Sequence, residues 1–486
     1  MTLRGADLRF VLSHRVETAV VLPGDRREGL GRVAAALVAA GVDLRPEGDE
    51  TVDLVVAGAA DADRSLAVPG RSHMVLGRPA TSAVQRAGTH RWPHLLAGDL
   101  HRPTTLVPLD RAVPLRWYLS DVAASPSASG RLRNRVAAAA LDAGAPPAWL
   151  APPRRRLSVL GPNPGPHVPR LLAAAAHQAG LPQPRDWVLA LGRGDDLQRA
   201  VFHVLGESRW VAKFTRVPGA TAAFDRDEVG LGLAADAAGV VAAHAPRLLA
   251  RLEVDGLPMS VESAAVGRPL LDLLSTGDAL RMVDAVAAWV VEVGASTAVP
   301  ARALDGERAR LAHEVLPHWL DHGAPHDLLE SLSTVPGVLQ HNDLGSWNVV
   351  TDGHVFRAVD WESARRCGLP LWDLIYLLGD ALVRLDGPAD PDVLLRRCLE
   401  LFRGTGPGSP TLFRWVRAAV TRLGLPAEAV GPVATMCWLH HGLSATARVG
   451  ALAGADAAPL GHLARLAGPW LADPDLGPAW SAWRCA

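Results

Sequence analysis

Apolar and polar residues change rhythm along the chain, and each rhythm predicts different elements. Val16–Leu22 (VETAVVL) is a β-branched run closed by Pro23-Gly24-Asp25 and reads as a buried strand. Leu30–Ala40 sets apolar residues at helical spacing and stops at Gly41. Val52–Ala57 (VDLVVA) reads as a second buried strand and His73–Leu76 as a third. Strand, helix and strand joined by short links predict a parallel sheet, so residues 1–150 read as a small α/β, Rossmann-like domain. Between Ser125 and Pro169 the runs SPSAS, GAPPAW, APPRRR and GPNPGPHVP surround a short helix at Leu132–Ala143. Proline this dense is kept out of element interiors, which places a Pro-rich linker at 151–168. From Trp187 short alternating strands take over: Asp186–Leu191 (DWVLAL), Val201–Leu205 and Trp210–Thr215 (WVAKFT), an antiparallel meander within a lobe at 169–266. Helical periodicity then dominates 267–486, at Ala279–Val293, Glu307–Leu316, Pro370–Leu385, Asp392–Phe402 and Val433–Val449. The expected fold class is α+β.

Composition narrows the function more by exclusion. At 486 residues the chain is too long for one ordinary domain. A formal net charge of -1 gives no electrostatic case for nucleic acid or an anionic membrane. The cysteines at 367, 398, 437 and 485 form no CxxC and have no histidine at metal spacing, which fits a reducing compartment. The N-terminus is charged and lacks the apolar core of a signal peptide, and Met282–Val293 contains acids and is too short to span a bilayer. A cytoplasmic protein without membrane insertion is expected.

Of 49 basic residues only Lys213 is lysine. It stands in a strand between apolar neighbours, where a buried ammonium needs a partner. Glu228, fifteen residues on in a helical stretch, is the expected partner, with Asp227 as competitor. A strand lysine bridged to a helix glutamate and reaching a nucleotide's phosphates is the arrangement of protein-kinase-like folds. Gly192 and Gly194, in the turn after the meander's first strand, would let backbone N–H groups approach those phosphates.

The densest chemistry lies downstream. His341-Asn342-Asp343-Leu344-Gly345-Ser346-Trp347-Asn348 follows a short apolar run, leads through a predicted hairpin and ends at Asp360-Trp361-Glu362. Two of the chain's four asparagines fall inside this stretch. Phosphoryl transfer needs a metal to neutralise charge, and Mg²⁺ prefers hard oxygens such as an amide carbonyl and a carboxylate, which Asn348 and Asp360 offer. Asp343 is then placed to orient an acceptor hydroxyl and take its proton.

These motifs resemble the aminoglycoside phosphotransferase and choline kinase superfamily over roughly 169–480. HNDLGSWN matches its loop H-G-D-x-x-x-x-N, Val359–Glu362 its metal-binding segment, and Gly368–Leu374 its G-x-P-x-x-D-L. Asn342 replaces the commoner glycine. The resemblance implies a bilobal protein-kinase-like fold, with a small antiparallel-sheet lobe and a mainly helical one. It also implies ATP as cofactor (GTP as the alternative), Mg²⁺, and a small hydroxylated substrate. Met259–Ser263 resembles the hinge strand that holds adenine, which assigns Glu262 and Ser263 to the nucleotide. Asp373 and His341 would be structural support for the loop. Asp380, Trp438, His440 and His441 are candidates for an acceptor pocket. Two other readings stay open: a degenerate kinase-like scaffold, and a bifunctional enzyme with methyl or glycosyl transfer in 1–150. In the latter domain Asp25 and Asp53 are placed for a ribose, and a protein or carrier partner is the further use considered.

Overall fold

The computed structural model describes residues 7–23, 30–77, 89–99, 102–123, 128–162, 165–191, 199–216, 219–237, 239–275, 279–451, 461–476 and 480. It is a mixed α+β structure that divides into two units, 1–221 with 248–264 and 222–247 with 265–486.

The first unit is built on one twelve-stranded sheet. Its parallel part has the spatial order β2-β1-β3-β4, from β1 (Thr18–Val21), β2 (Asp43–Leu44), β3 (Val52–Gly58) and β4 (Gly70–Leu76). Helix α1 (Leu30–Ala39) lies between β1 and β2 in sequence, and α2 (Ala62–Ala67) between β3 and β4. The remaining strands are antiparallel: β5 (His90–Asp99), β6 (Arg102–Pro108), β7 (Arg156–Gly161), β8 (Asp186–Ala190), β9 (Ala200–Leu205), β10 (Trp210–Phe214), β11 (Leu248–Val254) and β12 (Leu257–Ser263). From β4 the order continues β7-β5-β6-β8-β9-β10-β12-β11.

The stretch 151–168, expected as a linker, therefore holds a sheet strand. β7 is buried at all six positions and hydrogen-bonded to β4 on one side and β5 on the other. Its sequence RLSVLG contains no proline; the prolines flank the strand and do not interrupt it. The expected break between an α/β domain and a meander is absent for the same reason, because β8 pairs directly with β6. The short helix expected in this region is α3 (Ala128–Asp142). Asp25 lies outside the described residues. Asp53 accepts the N–H groups of Glu17 and Thr18 at 3.0 and 3.1 Å and so anchors the start of β1.

The alternation of β9 and β10 buries Phe202, Trp210, Ala212 and Phe214 on one face. There Phe214 meets Phe202 and Phe10 at 5.5 and 5.0 Å between ring centres. Helix α4 (Arg170–Gln178) covers the same core with Leu171, Leu172, Ala175 and Ala176. Two histidines are enclosed with it. Burial pushes His94 down to about 3, and His167 down to about 4. Both are neutral when folded but protonate near 6.5 once unfolded. Their contribution is complete above pH 6.5 and is lost as pH falls toward 4, at about 1.4 kcal/mol per pH unit for each. Urea denaturation followed across pH 4–7 is expected to show this decline, and His94→Gln to flatten it; a flat profile over that range would contradict the assignment.

The second unit is mainly helical. It contains α5 (Ala222–Asp236), α6 (Ala279–Thr297), α7 (Trp372–Ala381), α8 (Pro391–Arg403), α9 (Ser409–Leu423) and α10 (Val430–Ala451). Helix α5, expected within the meander's lobe, groups here. The helix expected at Glu307–Leu316 is a short α-helix, Asp305–Arg310, continued by tighter and wider turns as far as His318. Local rules set α8: Asp390 accepts the N–H groups of Asp392 and Val393, Pro391 occupies the first turn, and Gly404 closes the helix at φ 86°. Phe402 on α8 packs edge-on against Trp438, Trp470 and Trp480. Two small sheets complete the unit. One orders β13 (Arg268–Pro269), β15 (Val349–Thr351) and β16 (Phe356–Ala358); the other pairs β14 (Val338–Gln340) with β17 (Arg365–Gly368). Among the described residues no helix is long and apolar enough to cross a membrane.

Candidate active site

In the second unit, the segment that carries the sequence motif forms one connected site. Strand β14 delivers the chain to His341, a tight turn at Ser346–Asn348 follows, and β15 and β16 form a hairpin in register Val349↔Ala358. The Val359 N–H donates to the Asn348 carbonyl at 2.8 Å, so Asn348 and the approach to Asp360 lie at neighbouring strand ends. Asp360 itself is left-handed at φ 70° and turns the chain into Trp361–Ser363.

Asn342 is also left-handed, at φ 66°. That explains the departure from glycine: asparagine is among the few side chains that tolerate this backbone region. His341 ties the two halves together, with Nε2 bonded to the Val359 carbonyl at 3.0 Å and its ring 4.7 Å from Trp361. Burial pushes its imidazole down to about 4, so it is neutral.

Helix α7 carries three polar side chains on the face toward the loop, at i, i+3 and i+7, and the first and last of them hold it by hydrogen bonds. Asp373 accepts the backbone N–H groups of His341 and Asn342 at 2.6 and 2.8 Å. Tyr376 lies close enough to Asp343 to act on its carboxyl, in the lowering direction. Asp380, fully buried, accepts from Ser346 through both its backbone N–H and its hydroxyl, and is paired with Arg384 at 2.7 Å. Burial pushes Asp373 up to about 6, against the lowering effect of its two N–H donors. Asp373→Ala strands both N–H groups and is expected to cost about 1–3 kcal/mol for each. Urea denaturation measures it; a loss under about 0.5 kcal/mol, typical of a surface change, would remove Asp373 from this role.

Asp343 sits at the centre. The Asn348 side-chain amide donates to its backbone oxygen at 2.8 Å and to its Oδ2 at 3.0 Å. Burial pushes its carboxyl up to about 7, and the nearby charge of Asp360 adds to the rise. Because Asn348 uses its nitrogen for both bonds, its oxygen is the atom left for a cation. That oxygen and the Asp360 carboxylate are the hard donors Mg²⁺ takes alongside phosphate oxygens and water. A cation there would also offset the crowding of Asp343 and Asp360. The residues therefore fit a magnesium ion held mainly by its nucleotide. Among the described residues no group of three histidines, cysteines or carboxylates stands ready to hold a metal unaided.

Two glycines permit the close approaches this layout needs. A Cβ on Gly230 of α5 would lie 2.0 Å from the Trp361 carbonyl oxygen, so the helix rests directly on the turn after Asp360. A Cβ on Gly267 would lie 2.0 Å from the Thr351 carbonyl, and its φ is 109°. Glu362, within the turn after Asp360, faces Arg226 of α5 at 3.8 Å.

In the first unit, Lys213 is paired within its own sheet. Its Nζ lies 2.9 Å from Glu262 Oε1, with side-chain exposures of 12% and 1%. The Ser260 hydroxyl donates to the same oxygen at 3.1 Å. Ser263 closes β12 opposite Trp210. The expected partner, Glu228, is on α5 of the second unit with its side chain exposed, whereas Asp227 beside it is buried. Gly192 and Gly194 lie outside the described residues.

Sequence reasoning missed Tyr376 and the role of Asp380. The signal was present: Asp373, Tyr376 and Asp380 share one face of an otherwise apolar helix, and the chain has only two tyrosines. Trp438 and His441, considered for an acceptor pocket, are interior. His441 accepts from Trp372 Nε1 at 3.0 Å and stacks on Tyr376 at 4.0 Å, so it helps set the tyrosine. Half-buried His440 lies edge-on to Trp372 at 5.4 Å.

No protein-family model and no curated protein matches the chain. Among solved structures it is similar to an aminoglycoside-3′-phosphotransferase of type VIII, at 18% identity and TM-score 0.28, covering 51% of this chain and 97% of that one. It is also similar to a choline kinase from Cryptosporidium parvum Iowa II, at 12% identity and TM-score 0.31, covering 57% and 85%. A third is a macrolide 2′-phosphotransferase from Brachybacterium faecium, at 20% identity and TM-score 0.23, covering 48% and 90%. With TM-scores this low, the functional reading stands on the residues of this chain and their geometry.

Proposed function

We propose that the protein is a phosphotransferase that moves the γ-phosphoryl group of ATP to a hydroxyl of a small molecule, with Mg²⁺ as cofactor. The observation that carries this reading is the half-buried Asp343 bonded to Asn348 beside Asp360, on a loop that α7 braces through Asp373 and Asp380. Asn348 and Asp360 would hold the magnesium ion, which supplies charge neutralisation at the β- and γ-phosphates. Asp343 accepts the hydrogen bond of the acceptor hydroxyl, aims its oxygen at the phosphorus and takes its proton as transfer proceeds. Asn348 fixes the carboxylate's direction through its bond to Oδ2, so the hydroxyl meets a preset acceptor. Lys213 is assigned to the nucleotide's phosphates, and Glu262 and Ser263 to its adenine through their backbone groups, not their side chains.

ADP release from Mg²⁺-ATP, followed with panels of amino alcohols, sugars, aminoglycosides and macrolides, tests the proposal. One acceptor class should raise release above slow hydrolysis and gain a phosphoryl group by mass. No ADP formation under any condition, from protein shown to be folded, would overturn it.

A further inference from the structure

The phosphotransfer reading asks for a lysine whose charge is held in place, and protein-kinase-like folds supply the anion from a helix. In this chain a strand next to the lysine's own also carries an anion. Strands β10 and β12 are antiparallel, with Lys213 opposite Ser260 and Val211 opposite Glu262. Directly opposed residues share a face and side chains two apart return to it, so Lys213, Ser260 and Glu262 lie on one face of two adjacent strands. The Lys213 ammonium reaches diagonally to the carboxylate at 2.9 Å, and the Ser260 hydroxyl donates to the same oxygen.

We propose that Glu262 is a positioning residue for Lys213, holding the chain's only lysine within the sheet so that its ammonium is presented to a nucleotide's phosphates. This rests on the phosphotransfer reading for the identity of the ligand.

The burial asymmetry sets the sign of the effect. Glu262 is 1% exposed and shorter, while Lys213 ends a flexible four-carbon stem. A carboxylate this buried is costly without its cation, so the lysine pivots about the pair and does not leave it. An ammonium has three N–H donors, so bonding Glu262 and a phosphate oxygen together is within its capacity. His203, on the same face, is pushed down to about 4 by burial and by the Lys213 charge, so it is neutral and does not compete for the carboxylate. Glu262 therefore acts with the nucleotide and not against it.

Glu262→Gln keeps the shape and removes the charge. Calorimetric titration with Mg²⁺-ATP is expected to show affinity reduced about tenfold or more, the loss of a charge-assisted contact. Adenosine, which has no phosphate, should bind as it does to the wild type, by ligand-observed NMR. Glu262→Asp, which restores the charge, should recover part of the ATP affinity and guards against misfolding of the glutamine variant. Wild-type or tighter ATP binding by Glu262→Gln would overturn the proposal, and so would equal losses for ATP and adenosine. A separate readout needs no nucleotide. Because Lys213 is the only lysine, its acylation by an amine-reactive ester can be followed as one mass shift apart from the N-terminus, and Glu262→Gln should accelerate it. Acceleration without ATP binding by either protein would leave the pair standing and sink the phosphotransfer reading. Unchanged acylation would sink the pair.

Discussion

Replacing Asp343 by Ala is expected to lower turnover by about 10³-fold or more, the upper range for a positioned base, with Mg²⁺-ATP affinity within about twofold of the wild type. The separation of the two effects follows from the bonds around the loop. Asn348 also donates to the Asp343 backbone carbonyl, and Asp373 holds the N–H groups of His341 and Asn342. None of these needs the Asp343 side chain, so the loop keeps its course when the carboxylate is removed. What is lost is the group that receives the acceptor's proton. Steady-state ADP release and calorimetry on the same preparation measure both quantities. Turnover within about tenfold of the wild type would show that the base is another residue or that none is needed.

Asp360→Asn is expected to weaken Mg²⁺-dependent ATP binding by about a hundredfold or more, since a neutral amide replaces the charged ligand. The choice of asparagine matters. Asp360 sits at φ 70°, a region asparagine adopts more readily than alanine, so the variant retains the backbone while removing the charge. Thermal stabilisation by ATP with Mg²⁺, compared with ATP and a chelator, measures the change. Undiminished magnesium-dependent stabilisation in the variant would place the metal elsewhere.

The residues of the motif were legible because short-range geometry dictates them. Aspartate, five residues to asparagine, then a hairpin and a second aspartate bring Asp343, Asn348 and the turn at Asp360 together through local pairing alone. The strands β1, β3, β9 and β10 and the helices α1, α6, α8 and α10 were legible for the same reason, since each shows its own period. Long-range pairing left no such trace. β7 joins β5 across more than fifty residues and is hidden among prolines that only flank it, so composition read as a linker. The union of β6 with β8 was equally invisible. On α7 the polar face was masked by the helix's apolar character. Tyr376 and Asp380 gain meaning only when the loop they lie against is laid over them. The pairing of Lys213 with Glu262 needed the β10–β12 register, which no spacing between residues 213 and 262 encodes.

Calorimetric titration of the wild-type protein with ATP and with GTP, each with and without Mg²⁺, tests the central claim most directly. A working phosphotransfer site predicts nucleotide binding that is strongly enhanced by magnesium. A folded protein that binds neither nucleotide, or binds both equally well without the metal, would contradict it.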